Sequence, residues 1–157
     1  MKYTVTFLSL AIALGACSKK DGDGEGGGGD SATITLADLD GLKIDVQKGT
    51  EPSKLGSSVM IMSISESFTV DVASDSTPQT LDDAKKQATE LYNAKDIEEV
   101  KVEGGWGITF ANKGSMGENY WLNMRREING KAYWCSTSVG HKTLRDGAVR
   151  ACKTLRQ

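Results

Sequence analysis

Leu42, Ile44 and Val46 alternate with polar residues, the period of two expected of a strand buried on one face. Val59 to Ile64 is apolar on both faces except at Ser63 and reads as a central strand. Phe68, Val70 and Val72 alternate again, with Ser65-Glu66-Ser67 as the intervening turn. The period then changes. Between Thr80 and Asn93, Leu81, Ala84, Ala88, Leu91 and Tyr92 fall on one helical stripe, with Thr80 as cap and Asp83 three residues on in a capping-box-like arrangement. Val100 to Asn112 reads as two strands around Gly104-Gly105. A two-residue turn there would set Lys101 and Glu99 opposite Ile108 and Phe110 and mix the faces, so a longer loop is expected.

Asn129-Gly130 suits a type I′ turn, because both residues accept positive φ. The resulting hairpin pairs Ile128 with Lys131, Met124 with Cys135, Leu122 with Thr137 and Tyr120 with Val139. Trp121, Arg125, Trp134 and Ser138 share the opposite face. A last helix, roughly Thr143 to Arg156, carries Leu144, Ala148, Ala151, Cys152 and Leu155 on one stripe, with Arg145, Arg150, Lys153 and Arg156 mostly outside it. Three strands, a helix, four strands and a helix, with no βαβ alternation, predict an α+β fold. The expected form is an antiparallel sheet of about six or seven strands packed with two helices, an arrangement that includes the α/β/α sandwich.

The start of the chain follows a different logic. Lys2 precedes a mostly apolar run from Val5 to Leu14, too short to span roughly 30 Å of hydrocarbon as a helix, with small residues behind it. This is the pattern of a secretory signal peptide. Leu14-Gly15-Ala16-Cys17 resembles the lipobox of bacterial lipoproteins. The resemblance implies a diacylated, palmitate-bearing Cys17 at the start of the mature chain; the plainer alternative is a secreted protein cut nearby with Cys17 free. Ser18, a residue other than Asp, goes with the outer membrane in enteric lipoproteins. The expected location is the bacterial cell envelope, with a lipid anchor in the membrane, the outer membrane favoured over the inner.

Ser18 to Ser31 contains six glycines among charged residues and lacks the apolar area to offset its ordering entropy. It is expected to be a flexible tether of roughly 20 Å average span. A calcium loop is disfavoured, because the twelve-residue ligand spacing ending in Glu is missing. The expected division is 1–16 signal peptide, 17–32 lipidated cysteine and tether, and 33–157 a single globular domain.

The 157 residues carry a formal net charge of −2, which excludes a strongly basic nucleic-acid binder. Charge is nonetheless segregated. Thr33 to Asn119 holds 8 Lys against 15 acids, whereas Tyr120 to Gln157 holds 8 Lys and Arg against 2 acids. Such a chain is either partly self-complementary or presents one acidic and one basic surface.

With Cys17 assigned to lipid, Cys135 and Cys152 remain as an even pair in an oxidising compartment. One lies on the Met124 face of the hairpin and the other on the apolar stripe of the last helix, so a disulfide between them is expected. It would close a loop of about 15–20 residues, stabilising by about 3 kcal/mol in the chain-entropy treatment. A metal pair or a catalytic thiol is the competing reading, but the chain has no CxxC, and neither cysteine has a His or acid at ligand spacing.

Candidate chemistry is sparse. His141 is the only histidine, which excludes HExxH and sites built on several histidines, and no G-x-S-x-G elbow supplies it with a serine. Met60-x-Met62 has the softness that copper(I) prefers, yet the spacing also fits one face of a buried strand. Gly104-Gly105-Trp106-Gly107 lacks the Gly-Lys-Ser/Thr ending and following helix of a phosphate loop. Asp82-Asp83 and Glu98-Glu99 are adjacent in sequence, so their side chains point apart. Trp121, Arg125 and Trp134 are the candidate binding surface, with Arg125 opposite Trp134 and within reach of a cation–π contact. Covered by the Thr80 helix they are core; left open they suit a glycan, a peptide or a partner protein.

The strand–helix order, the lipobox and the C-terminal helix resemble the PsbP-like α/β/α sandwich lipoproteins of bacterial envelopes, such as the DcrB family. The resemblance spans Leu42 to Leu155 at the level of element order. It implies a fold and carries no functional motif across. The function expected is a lipid-anchored envelope accessory or binding module, not an enzyme, with no cofactor or metal, an envelope protein or glycan as partner, and no nucleic acid. The alternatives are a toxin- or immunity-type lipoprotein and a hydrolase acting at the cell wall.

Overall fold

The computed structural model describes residues 30–157. The stretch expected to be a signal peptide, the Leu14–Cys17 box and the expected tether through residue 29 lie outside the described residues. Strands β1 (Ser31–Leu36) and β2 (Leu42–Gln47) form an antiparallel hairpin. The other strands are β3 (Ser53–Leu55), β4 (Ser58–Met62), β5 (Ser67–Val72), β6 (Lys95–Val100), β7 (Gly105–Gly114), β8 (Gly117–Ile128) and β9 (Lys131–Val139). They make one seven-stranded sheet in the order β3-β4-β5-β9-β8-β7-β6, antiparallel throughout. Helices α1 (Leu81–Tyr92) and α2 (Lys142–Lys153) complete an α+β fold.

The period of two along the strands sends side chains to two faces, and each face has its own helix. Val59, Ile61, Phe68, Val70, Leu122, Met124 and Cys135 meet Ala148, Ala151 and Cys152 of α2 and the apolar side of the β1–β2 hairpin in the main core. On the opposite face Ile108 and Phe110 pack under Ala84 and Ala88 of α1, with Trp106, Trp121 and Tyr92 around them. The sheet therefore lies between two unequal layers.

Local chemistry accounts for the element ends. Thr80 accepts the Asp83 N–H (3.1 Å) and donates its hydroxyl to the Asp83 carboxylate (2.7 Å), which caps α1. Asn93, in the left-handed region at φ 48°, ends the helix, and the Ala94 N–H returns to the Ala88 carbonyl (3.1 Å). The β8–β9 register is the expected one from Ile128↔Lys131 to Tyr120↔Val139, with Asn129 and Gly130 both at positive φ. Between β6 and β7 the chain takes the longer loop, residues 101–104, and Gly105 is needed because a Cβ there would run into the Arg125 carbonyl.

The hairpin and α2 are fastened to the sheet by polar contacts across its rim. Cys135 and Cys152 face each other at disulfide distance, with Cα atoms 6.2 Å apart. Arg126 on β8 donates Nη1 to the carbonyls of Lys153 (2.8 Å) and Cys152 (3.3 Å), placing a cation at the negative end of α2. Arg156 clasps the Asp45 carboxylate with two nitrogens (2.8 and 3.1 Å), and Asp40 accepts from Lys131 (2.6 Å) and Tyr133 (2.8 Å). The acidic first half and basic second half thus meet in specific pairs, as partial self-complementarity requires.

Four expectations need correcting. Strand β1 was not anticipated; it starts at Ser31, inside the stretch expected to be tether, because Ala32, Ile34 and Leu36 alternate onto the core side of the hairpin. Strand β3 was not anticipated. Strand β4 is second from the sheet edge, and its Met60 and Met62 lie on the face away from the main core, with Met62 62% exposed, so they are not buried-strand packing. Leu91, placed on the α1 stripe, is exposed, and the helix packs through Ala84 and Ala88 with Leu81 and Tyr92 beside them.

Candidate functional site

Helix α1 sits over β7, and it leaves the same face of β8, β9 and β5 without a helix on top. A groove of about 450 Å³ runs between that bare face and the helix. Its floor is a row of directly opposed residues on four adjacent strands: Asn123 on β8, Ser136 on β9, Thr69 on β5 and Met60 on β4. Trp121 and Trp134 lie on the same face, each two residues along its strand from a member of that row, and Ser67 and Ser138 extend the floor. The helix side supplies Gln87 and Tyr92, and the approach to α1 supplies Ser76, Thr77 and Pro78.

The aromatic walls are held rigidly. Trp121 stacks on Phe110 (5.5 Å between centroids, 7° between planes) and leans on Tyr92 (4.6 Å). Its indole N–H donates to Asn112 Oδ1 (2.9 Å), and the Asn112 amide donates to the Tyr92 carbonyl at the end of α1 (3.0 Å). Trp134, 9% exposed, meets Trp106 edge-on at 5.8 Å. Thr69 and Ser136 hydroxyls are 3.4 Å apart. Asn123 is only 7% exposed and lines the groove floor.

The three residues expected to form one surface divide between two places. Trp121 and Trp134 line the groove, partly core and partly open. Arg125 keeps its register position between Trp106 and Trp134, but it lines a neighbouring cavity of about 440 Å³ with Gln79, Gly104, Trp106 and Glu127. Its Nη1 is buried there without a partner, and no cation–π contact with Trp134 forms; those among the described residues are Lys131 over Tyr133 and Arg145 over Tyr120. The register sets only which face Arg125 leaves from, and its long side chain carries the guanidinium into the neighbouring cavity.

No groove-lining residue carries a charge at neutral pH. The groups with displaced titration lie outside the groove lining. Burial, and then the hydrogen bond to Asp40, push the Tyr133 phenol up to about 12. Hydrogen bonds, from Lys131 first at Asp40 and from Arg156 first at Asp45, hold those carboxyls below their ordinary range. Burial raises Glu66, which accepts the Gln47 N–H (2.7 Å) and borders a second cleft with Asp45, Arg150 and Thr154.

His141 stands exposed at the N-terminal boundary of α2, outside the groove, with no capping hydrogen bond from its side chain. Among the described residues no three His, Cys, Asp or Glu side chains come together, and no helix is long and apolar enough to cross a membrane. Cys17 lies outside the described residues. Sequence reasoning missed Asn123, Ser136, Thr69, Tyr92 and Gln87. The signal was there in part: Asn123 and Ser136 share the parity of Trp121 and Trp134 in the Asn129-Gly130 hairpin. No protein-family model matches the chain, and no curated protein matches it.

Proposed function

We propose that this protein is a lipid-anchored binding module of the bacterial cell envelope and that the groove between α1 and the sheet is its ligand site. The observation that carries the reading is a rigid aromatic wall beside a row of uncharged hydrogen-bonding side chains, left open on the middle strands of a sheet. A bare face of an antiparallel sheet ordinarily carries polar side chains; what favours a ligand here is their place in a concave groove beside fixed indole rings. The same lining speaks for binding over catalysis, since it offers no group that ionises near neutral pH to act as general acid or base. The anchor rests on the Leu14-Gly15-Ala16-Cys17 box behind a short apolar run, and the similarity in element order to PsbP-like envelope lipoproteins belongs to the same reading.

The test is a photo-crosslinking residue placed at Thr77, on the groove rim, in full-length protein made in its native host. Crosslinks to an envelope component from Thr77, and none from a probe at exposed Lys54, are expected. Equal labelling from both positions would remove the groove from the account.

A further inference from the structure

We infer that the groove takes an uncharged carbohydrate, one to a few sugar rings of an envelope glycan; the inference rests on reading the groove as the ligand site. Four observations narrow the ligand class. The first is charge. No groove-lining side chain carries a charge to receive a phosphate, carboxylate or ammonium group; Arg125 and Asp71, opposite Trp134 on the same face, stand outside the lining. The second is the polar floor. Sugar hydroxyls are donors and acceptors at once, and they need side chains that are the same. Asn123, Ser136 and Thr69, side by side on adjacent strands, supply two hydroxyls and a carboxamide.

The third is Asn123 itself. It is nearly buried as a residue and lines the groove, so a ligand there meets a carboxamide that offers both a donor and an acceptor. The fourth is the wall. Trp121 and Trp134 are fixed aromatic surfaces beside the polar row, and a sugar ring has apolar C–H faces and a polar rim that match such a combination.

The same geometry disfavours a peptide. An extended peptide is held by adding to a free strand edge, whereas β5, β9 and β8 are interior strands whose backbone groups already serve their neighbours. The groove presents side chains alone. That suits a ligand recognised by its own hydroxyls.

The experiment is calorimetric titration of the purified protein with tri-N-acetylchitotriose and with maltotriose, both uncharged, followed in parallel by tryptophan emission. At least one sugar should bind saturably. Its affinity should be unchanged between about 0.02 and 0.5 M salt, because no ion pair is there to be screened. Asn123→Leu should weaken binding at least about tenfold, as loss of a buried hydrogen-bonding partner does, with the melting temperature retained. Ser136→Ala, a smaller change certain to leave the fold less disturbed, should weaken it in the same direction, and Arg150→Ala at the far cleft should leave it as it was. The carbohydrate assignment is overturned if neither sugar binds at about 10 mM, near the limit of useful weak association, or if Asn123→Leu and Ser136→Ala both bind like the parent. A steep loss of affinity with salt also overturns it. Failure here with Thr77 crosslinks still present removes the sugar and leaves the groove as the binding site.

Discussion

Glu66 is buried between the β1–β2 hairpin and α2, with the Gln47 N–H as its hydrogen-bond donor. Burial is the larger influence and raises its pKa, so the folded chain holds this proton more tightly than the unfolded chain does. The resulting stabilisation is full below the ordinary carboxylate range and is lost as pH rises through the raised value. Glu66→Gln keeps an acceptor for Gln47 and removes the charge. The variant is expected to melt higher than the parent at pH 7, with the difference shrinking on acidification, which melting curves across that range will check. Asp40 and Asp45 act oppositely: their carboxyls are lowered, and the stability they add is present above the ordinary range and lost on acidification through the lowered values. Trp134 makes a different prediction. Its ring closes on Trp106, so Trp134→Ala should cost about 3–5 kcal/mol in denaturant unfolding, a loss that a purely surface tryptophan would not give.

At the scale of elements, what was legible had a local cause. The β8–β9 register followed from Asn129-Gly130, since a turn demanding positive φ at two positions leaves one pairing, and α1 began where Thr80 and Asp83 cap each other. The facing of Cys135 and Cys152 followed from that register and the α2 stripe. Strand β3 escaped notice because Ser53, Lys54 and Leu55 are all exposed and carry no period. The groove escaped because it depends on where α1 settles across the sheet, which its amphipathic stripe does not specify: the small Ala84 and Ala88 admit close packing on Ile108 and Phe110 and leave β9 bare. Two outcomes follow for these elements. Replacing both cysteines, Cys135→Ala with Cys152→Ala, should destabilise by about 3 kcal/mol, the chain-entropy worth of a loop this size, read as a shift in the urea midpoint relative to oxidised parent. Gly147→Ala should cost about 1–3 kcal/mol or more as an overpacking change, because a Cβ on α2 there would run into the Ser65 carbonyl in the β4–β5 turn.

Across the whole molecule the two faces divide the labour. The face under α2 and the hairpin holds the large core, the paired cysteines and the charge pairs joining the acidic and basic halves. The face under α1 carries a small core and the open groove. In the proposed arrangement the lipid on Cys17 keeps this domain near the envelope surface, and Cys17→Ser should move the protein from membrane to soluble fractions; undiminished membrane association of that variant would contradict the anchor. The most direct test of the central claim, that this groove is where the molecule binds, is a nuclear magnetic resonance titration of the isotope-labelled protein with solubilised envelope material. The account predicts shifts in the Asn123 and Gln87 side-chain amides and the Trp121 and Trp134 indole signals, with those of α2 and the β1–β2 hairpin unmoved. Shifts confined to the Glu66–Arg150 cleft, with the Asn123 amide unchanged, would contradict it.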